Sequence, residues 1–245
     1  MDINAPWEEI RGFVAWEPLL RGYEWPKGVR IKKAWERRCD LETQVKRWIA
    51  GGFQRGQGWT VANAIHQWGF GLILPEQKEN WEQHYHDALS LMQEDRMAYA
   101  AEHLIRHSPR LGIVGVSKLL SFADQTRFAI YDSRVGFALR TVTVTINGDI
   151  YRAFPCPPWR GRGVGDNVIS RRPEVAAEGF AGFVRWARRA AICLGTHECL
   201  GQEMGWTPAF IEMALFMAGQ NRNQRILQEI HVRRFDRDPG GWFPQ

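Results

Sequence analysis

The sequence predicts a mainly helical protein with one β-hairpin set into it, and three observations carry that expectation. Apolar residues recur at helical spacing over 76–107, where Trp81, Tyr85, Ala88, Leu91, Met92, Met97, Ala100 and Leu104 share a face. The clear period-two alternation is confined to 141–154 and is split by Asn147–Gly148, a dipeptide suited to tight hairpin turns. No internal repeat or low-complexity tract divides the chain, so residues 1–245 read as a single unit with a hairpin-and-loop insertion at about 141–172.

Taken in order, residues 27–47 hold eight cations against three acids and read as a helix with a basic face, for which a solvated surface is the plainest account. A short loop over 51–60 leads to a helical segment at 61–71. Pro75 suits the start and Pro109 the end of the 76–107 stretch. Apolar segments interrupted by glycine run from 110 to 140. The hairpin follows, then a loop whose prolines and glycines set turns, with Arg152, Trp159, Arg160 and Arg162 along it. Helices are expected at about 173–194, 207–219 and 221–233, and 236–245 is a tail.

Composition narrows the class. With 44% hydrophobic and 24% charged residues the chain is too apolar for disorder. Its longest apolar runs, Phe70–Leu74 and Leu111–Val116, fall far short of the roughly 18 residues of a membrane span. The opening MDINAPWEEI has neither the basic start nor the apolar stretch of a secretory signal. Four cysteines (Cys39, Cys156, Cys193, Cys199) are too few for a disulfide scaffold, so the expected setting is the reducing cytoplasm. The net charge is +5, and every strong cation after Lys118 is an arginine. Arginine favours bidentate phosphate contacts and stacking on flat rings; together with 12 tryptophans it points to a nucleic-acid partner. Core filling is the alternative use of the indoles.

The chemistry-bearing stretch is Arg110–Arg140. Gly112, Gly115 and Ser117 read as a glycine-containing turn between helical segments, where backbone amides can approach a phosphate; a plain helix–turn–helix joint is the alternative. Lys118 stands among apolar and small neighbours, a setting that favours the neutral, nucleophilic amine, although a lysine there can equally snorkel to solvent or touch a phosphate. Asp132 follows an apolar run and precedes Val135–Leu139, so it reads as a helix N-cap; a cap carboxylate can also face a cleft and stabilise a sugar cation or orient a water.

This order of turn, lysine, buried helix and helix-opening aspartate resembles the helix–hairpin–helix DNA glycosylases, and is most similar to their 8-oxoguanine glycosylase-like branch. Ala64–Gly69 (AIHQWG) and Ile211–Gly219 (IEMALFMAG) fit the same branch. The resemblance spans about 40–220 and is close over 110–140. It implies a two-lobed helical fold around a cleft and a double-stranded DNA partner in the cytoplasm or nucleoid. The implied activity is excision of a flipped base to leave an abasic site. Asp132 matches the catalytic aspartate and Lys118 the lysine that attacks the sugar C1′ where strand cleavage accompanies excision. Gly115, Val116 and Ser117 match the phosphate-holding hairpin, with Ser117 where the family has a second glycine and with a shorter lysine-to-aspartate interval. Arg134 is a candidate for a further phosphate contact. Gln67, Trp68, Glu212 and Phe216 are candidates for the base pocket, although spacing alone makes Phe216 a core residue and Glu212 an exposed helix position. Arg152, Trp159, Arg160 and Arg162 are candidates for contact with the displaced strand, or belong to a plain surface loop. The base expected from the branch is an oxidised purine; a bulky modified pyrimidine of phage DNA, removed in defence, is the second candidate.

No cofactor is expected. His103 and His107 share a helix face, but Leu104 stands where a zinc-hydrolase pattern has glutamate. Cys156, Cys193, His197 and Cys199 match no zinc spacing, and the four closely spaced C-terminal cysteines of iron–sulfur relatives are missing. The rival readings are a DNA-binding module of this fold without catalysis and, on the aromatics alone, an RNA-directed protein.

Overall fold

The computed structural model describes residues 16–26, 28–52, 54–75, 80–139, 143–146, 149–152 and 172–220. They form α1 (Trp16–Arg21), α2 (Ile31–Ala50), α3 (Gln57–Phe70), α4 (Trp81–Gln93), α5 (Met97–His107), α6 (Gly112–Ser121) and α7 (Ser133–Leu139). Then come β1 (Thr143–Ile146), β2 (Asp149–Arg152), α8 (Pro173–Leu194), β3 (Thr196–Cys199), β4 (Gln202–Gly205) and α9 (Pro208–Gln220). The mainly helical class holds. The expected helix at 221–233, the tail, the Asn147–Gly148 turn and the loop bearing Trp159, Arg160 and Arg162 lie outside the described residues. No described helix is long and apolar enough to cross a membrane.

The helical stretch expected over 76–107 is two helices. Between Met92 and Met97 the apolar spacing steps by five, and there the chain turns through Glu94–Arg96 with Asp95 at φ 63°. Aspartate tolerates this left-handed conformation, and Arg127 and Arg188 hold its carboxylate from other parts of the chain. A second correction concerns β structure. Besides β1–β2, which pair Thr143 with Arg152 and Ile146 with Asp149, a second antiparallel hairpin joins β3 and β4. Leu200 and Gly201 make its two-residue turn, both with positive φ (64° and 80°), as this turn geometry requires. Leucine is not a turn former, which hides the hairpin from a reading of the sequence.

The helices pack as two neighbourhoods on one continuous apolar core. In the first, α2 lies on α3, α3 on α6, and the α4–α5 hairpin on α6. In the second, α9 is flanked by α1 and α7, so the first described helix sits against the last. Long α8 touches α5 and α6 on one side and α9 on the other, tying the two together. Its buried face, including Phe180, Phe183, Val184 and Trp186, recurs at helical spacing. The segment Phe128–Tyr131, neither helix nor strand, runs buried through this core, with Tyr131 stacked on Phe183 at 5.0 Å. It delivers the chain to the start of α7.

Candidate functional site

The site is built where α6 passes that buried segment. The turn before α6 spans Ser108–Leu111, and the helix starts at Gly112 (φ 56°). Gly115, Val116 and Ser117 therefore lie within the helix and are buried, and the Gly115 amide donates to Leu111 O at 3.2 Å. The glycine-containing turn expected at 112–117 is therefore helix from Gly112 onward, and the turn itself lies at 108–111. Ser117 does something else: its hydroxyl donates to Tyr131 O at 3.2 Å and accepts from the Tyr131 amide at 3.1 Å. This clamp fixes the register of the buried segment against α6, and the next residue on each side completes a second rung. Lys118 Nζ stands 3.4 Å from Asp132 Oδ2.

Asp132 divides its two oxygens. Oδ1 accepts from the amides of Arg134 (2.9 Å) and Val135 (3.1 Å), capping α7; Oδ2 faces the amine. The cap reading therefore holds, and the second oxygen is paired with the Lys118 amine. Both side chains are nearly closed off, with residue exposures of 5% for Lys118 and 3% for Asp132. The amine is paired rather than isolated among apolar groups. Its stem crosses α3 at Gly69, where even a methyl group would approach Lys118 Cδ to 2.6 Å. Phe70, partly exposed, places its ring 5.1 Å from Nζ.

Behind this pair lies a charged network that the sequence does not announce. Arg38, on the supposedly solvated α2 face, is fully buried; it donates to Glu212 Oε2 at 2.7 Å and to Gln125 Oε1 at 2.5 Å. Gln125 in turn donates to Glu42 at 3.0 Å. Tyr23 shares Arg38, and burial pushes the phenol far above its ordinary value. Burial likewise pushes the Glu212 carboxyl up against the pull of Arg38, with Asp132 adding to the rise and Lys118 opposing it. That electrostatic coupling joins the network to the Lys118–Asp132 pair. Glu212 is 2% exposed, so the exposed helix position expected from spacing is corrected: α9 is apolar around its whole circumference, and its one acid faces a cation from α2.

The remaining expected residues are dispersed. Trp68 is buried edge-on to Phe122 (5.4 Å) and 5.5 Å from the Arg38 guanidinium. Its indole N–H and Arg38 Nη1 have no hydrogen-bond partner among the described residues. Gln67, its neighbour, is exposed and apart from this group. Phe216 is buried, as spacing predicts, against Tyr23 (5.7 Å) and Trp25 (5.4 Å). Arg134 sits over the edge where these two rings meet, its guanidinium 4.7 Å from Trp25 and 4.6 Å from Phe216. Arg152 stands on β2 opposite Thr143. Beyond Phe70, the chain exposes Leu72 (65%) and Ile73 (74%). Their backbone is pinned, since His66 Nδ1 bonds Leu72 O at 2.9 Å and the Leu74 amide donates to Asn63 at 2.8 Å. An exposed apolar pair on an anchored turn beside a buried ion pair shows in the sequence only as the run Phe70–Leu74.

Comparison with models of known families, with characterised proteins and with solved structures returns no match.

Proposed function

We propose that the protein is a DNA glycosylase of the helix–hairpin–helix type, acting through Asp132 and Lys118. The observation that carries this reading is the 3.4 Å approach of the Lys118 amine to a carboxylate fixed at a helix start. A nucleophile and an anion share one point, supplied by a helix–turn–helix and the helix that follows. In the proposed reaction the target nucleotide leaves the stack, since its glycosidic bond is out of reach inside a duplex. Leu72 and Ile73 provide the apolar wedge that fills the gap. The sugar reaches Asp132 once Phe70 moves aside. As the C1′–N bond breaks and its electron pair leaves with the base, the carboxylate stabilises positive charge on the sugar; water or the Lys118 amine then bonds C1′ and gives up a proton to Asp132 or to the departed base. The substrate is a modified base, an oxidised purine by resemblance or a bulky modified pyrimidine.

The test is incubation with duplexes carrying each lesion, followed by alkali to reveal abasic sites. Asp132→Asn keeps a capping side chain, so it is expected to fold and to lose about 10²–10³-fold in rate. Borohydride trapping is expected to capture a Lys118 adduct if strand cleavage accompanies excision. A second reading, a DNA-binding module without catalysis, is favoured by the near closure of the pair. It predicts retained DNA affinity with no excision of any lesion, and an Asp132→Asn protein that differs from the wild type only in stability.

A further inference from the structure

Away from the proposed site, three histidines meet at the open end of the α4–α5 hairpin. His84 lies in the first turn of α4; His103 and His107 lie in the last two turns of α5. His84 Nδ1 stands 3.3 Å from His103 Nε2, and the His107 ring stacks on His84 at 3.5 Å. One nitrogen from each ring lies within 4.8 Å of the others. We propose that these three imidazoles form a binding site for a zinc-class divalent transition ion.

Three features argue for an ion rather than a chance contact. Nitrogens held about 2.0–2.1 Å from a tetrahedral zinc stand roughly 3.3 Å apart, the separation between His84 and His103. His107 Nδ1 bonds the carbonyl of His103 at 2.8 Å; the ring N–H must then be on Nδ1, leaving the Nε2 lone pair free, and a carbonyl behind a ligating histidine sets the tautomer of metal sites in the same way. The ligands come from both helices at the end far from the Glu94–Arg96 turn, where Trp81 also donates to Ser108, so an ion would close the open end. Nitrogen donors select zinc, copper, nickel or cobalt over magnesium and calcium. The three-histidine set leaves a fourth position for water.

Protein freed of any histidine tag is dialysed against chelator and titrated with zinc chloride and, separately, cobalt chloride. The expected result is one ion per chain, with the strong visible absorption of four-coordinate cobalt. His84→Ala and His103→Gln are each expected to weaken binding at least tenfold, while His86→Ala, off the face the trio shares, binds as the wild type. All three positions are half-buried and none is fully buried, and a thermal melt of each metal-free variant checks that it folds. No stoichiometric binding by the wild type overturns the proposal and leaves a histidine–histidine hydrogen bond. Equal binding by the wild type and His103→Gln, or loss of binding in His86→Ala, overturns it as well. No outcome here bears on excision by Asp132.

Discussion

Gly69 shows how narrowly the Lys118–Asp132 geometry is set. The lysine stem lies so close to α3 that a Cβ at position 69 would come within 2.6 Å of Lys118 Cδ. The obstacle is a side chain able to swing, so Gly69→Ala displaces the amine without breaking the helix, and alanine favours α3 by up to about 1 kcal/mol. The expected outcome is a fall in single-turnover excision of roughly 10–10²-fold, since a displacement near 1 Å is costly to a reacting group, with an unchanged or raised melting temperature. Wild-type turnover in a folded Gly69→Ala protein would show that Lys118 need not stand where it does. Residues of this kind differ in how legible they are. Lys118 and Asp132 stand out because each is a local anomaly: an amine in an apolar run, and an acid where a helix opens. Arg38 does not, because on its own helix it is one cation among several; what removes it from solvent is Glu212, 174 positions away. Glu212 escapes a local reading for the same reason.

At the scale of elements, helix positions follow from periodicity, and the departures fall where tertiary contacts override local preference. The break between α4 and α5 is secured by Arg127 and Arg188 acting on Asp95. The start of α6 lies earlier than the glycine spacing suggests because Gly115 is a packing glycine, a Cβ there meeting Leu111 at 2.9 Å, rather than a turn glycine. The joint that matters most for the site is α7 on α9. A Cβ at Gly219 would run into the Arg134 carbonyl, and backbone cannot swing aside as the lysine can. Gly219→Ala gains at most about 1 kcal/mol of helix propensity and must push these packed helices away from each other, for which overpacking costs about 1–3 kcal/mol. The net expectation is destabilisation, read as a lower urea midpoint at unchanged slope. Excision should fall too, because the Arg134 amide is one of the two that orient Asp132. An unchanged midpoint would mean that α7 and α9 are not packed this closely.

Across the whole molecule, the distribution of charge says more than the net +5. Helix α2 begins with Arg30 at its N-cap, Lys32 and Lys33 in its first turn, and no acid there. Cations at the positive end of a helix dipole are destabilising, and none of the three has an acidic partner among the described residues. Farther along the same helix, Arg37 and Lys46 are each paired with an acid. A local rule broken at one end of an otherwise balanced helix is expected where a partner supplies the missing anion, and DNA phosphate does so under the function proposed above. Stability and binding should then move in opposite directions. Replacing both lysines (Lys32→Glu with Lys33→Glu) puts acids at the dipole's positive end and is expected to raise unfolding free energy by about 1–2 kcal/mol. The same change should weaken duplex binding and flatten its dependence on salt. Giving up one phosphate takes about 0.9 from the slope of log affinity against log salt, so the slope should fall by up to about 1.8 if both lysines sit on phosphates. Denaturant midpoints and fluorescence anisotropy over a series of potassium chloride concentrations measure the two sides. A double variant that is more stable and binds DNA with the wild-type salt slope would place the DNA-binding face elsewhere; one that is less stable would mean that the two lysines already have partners in the free protein.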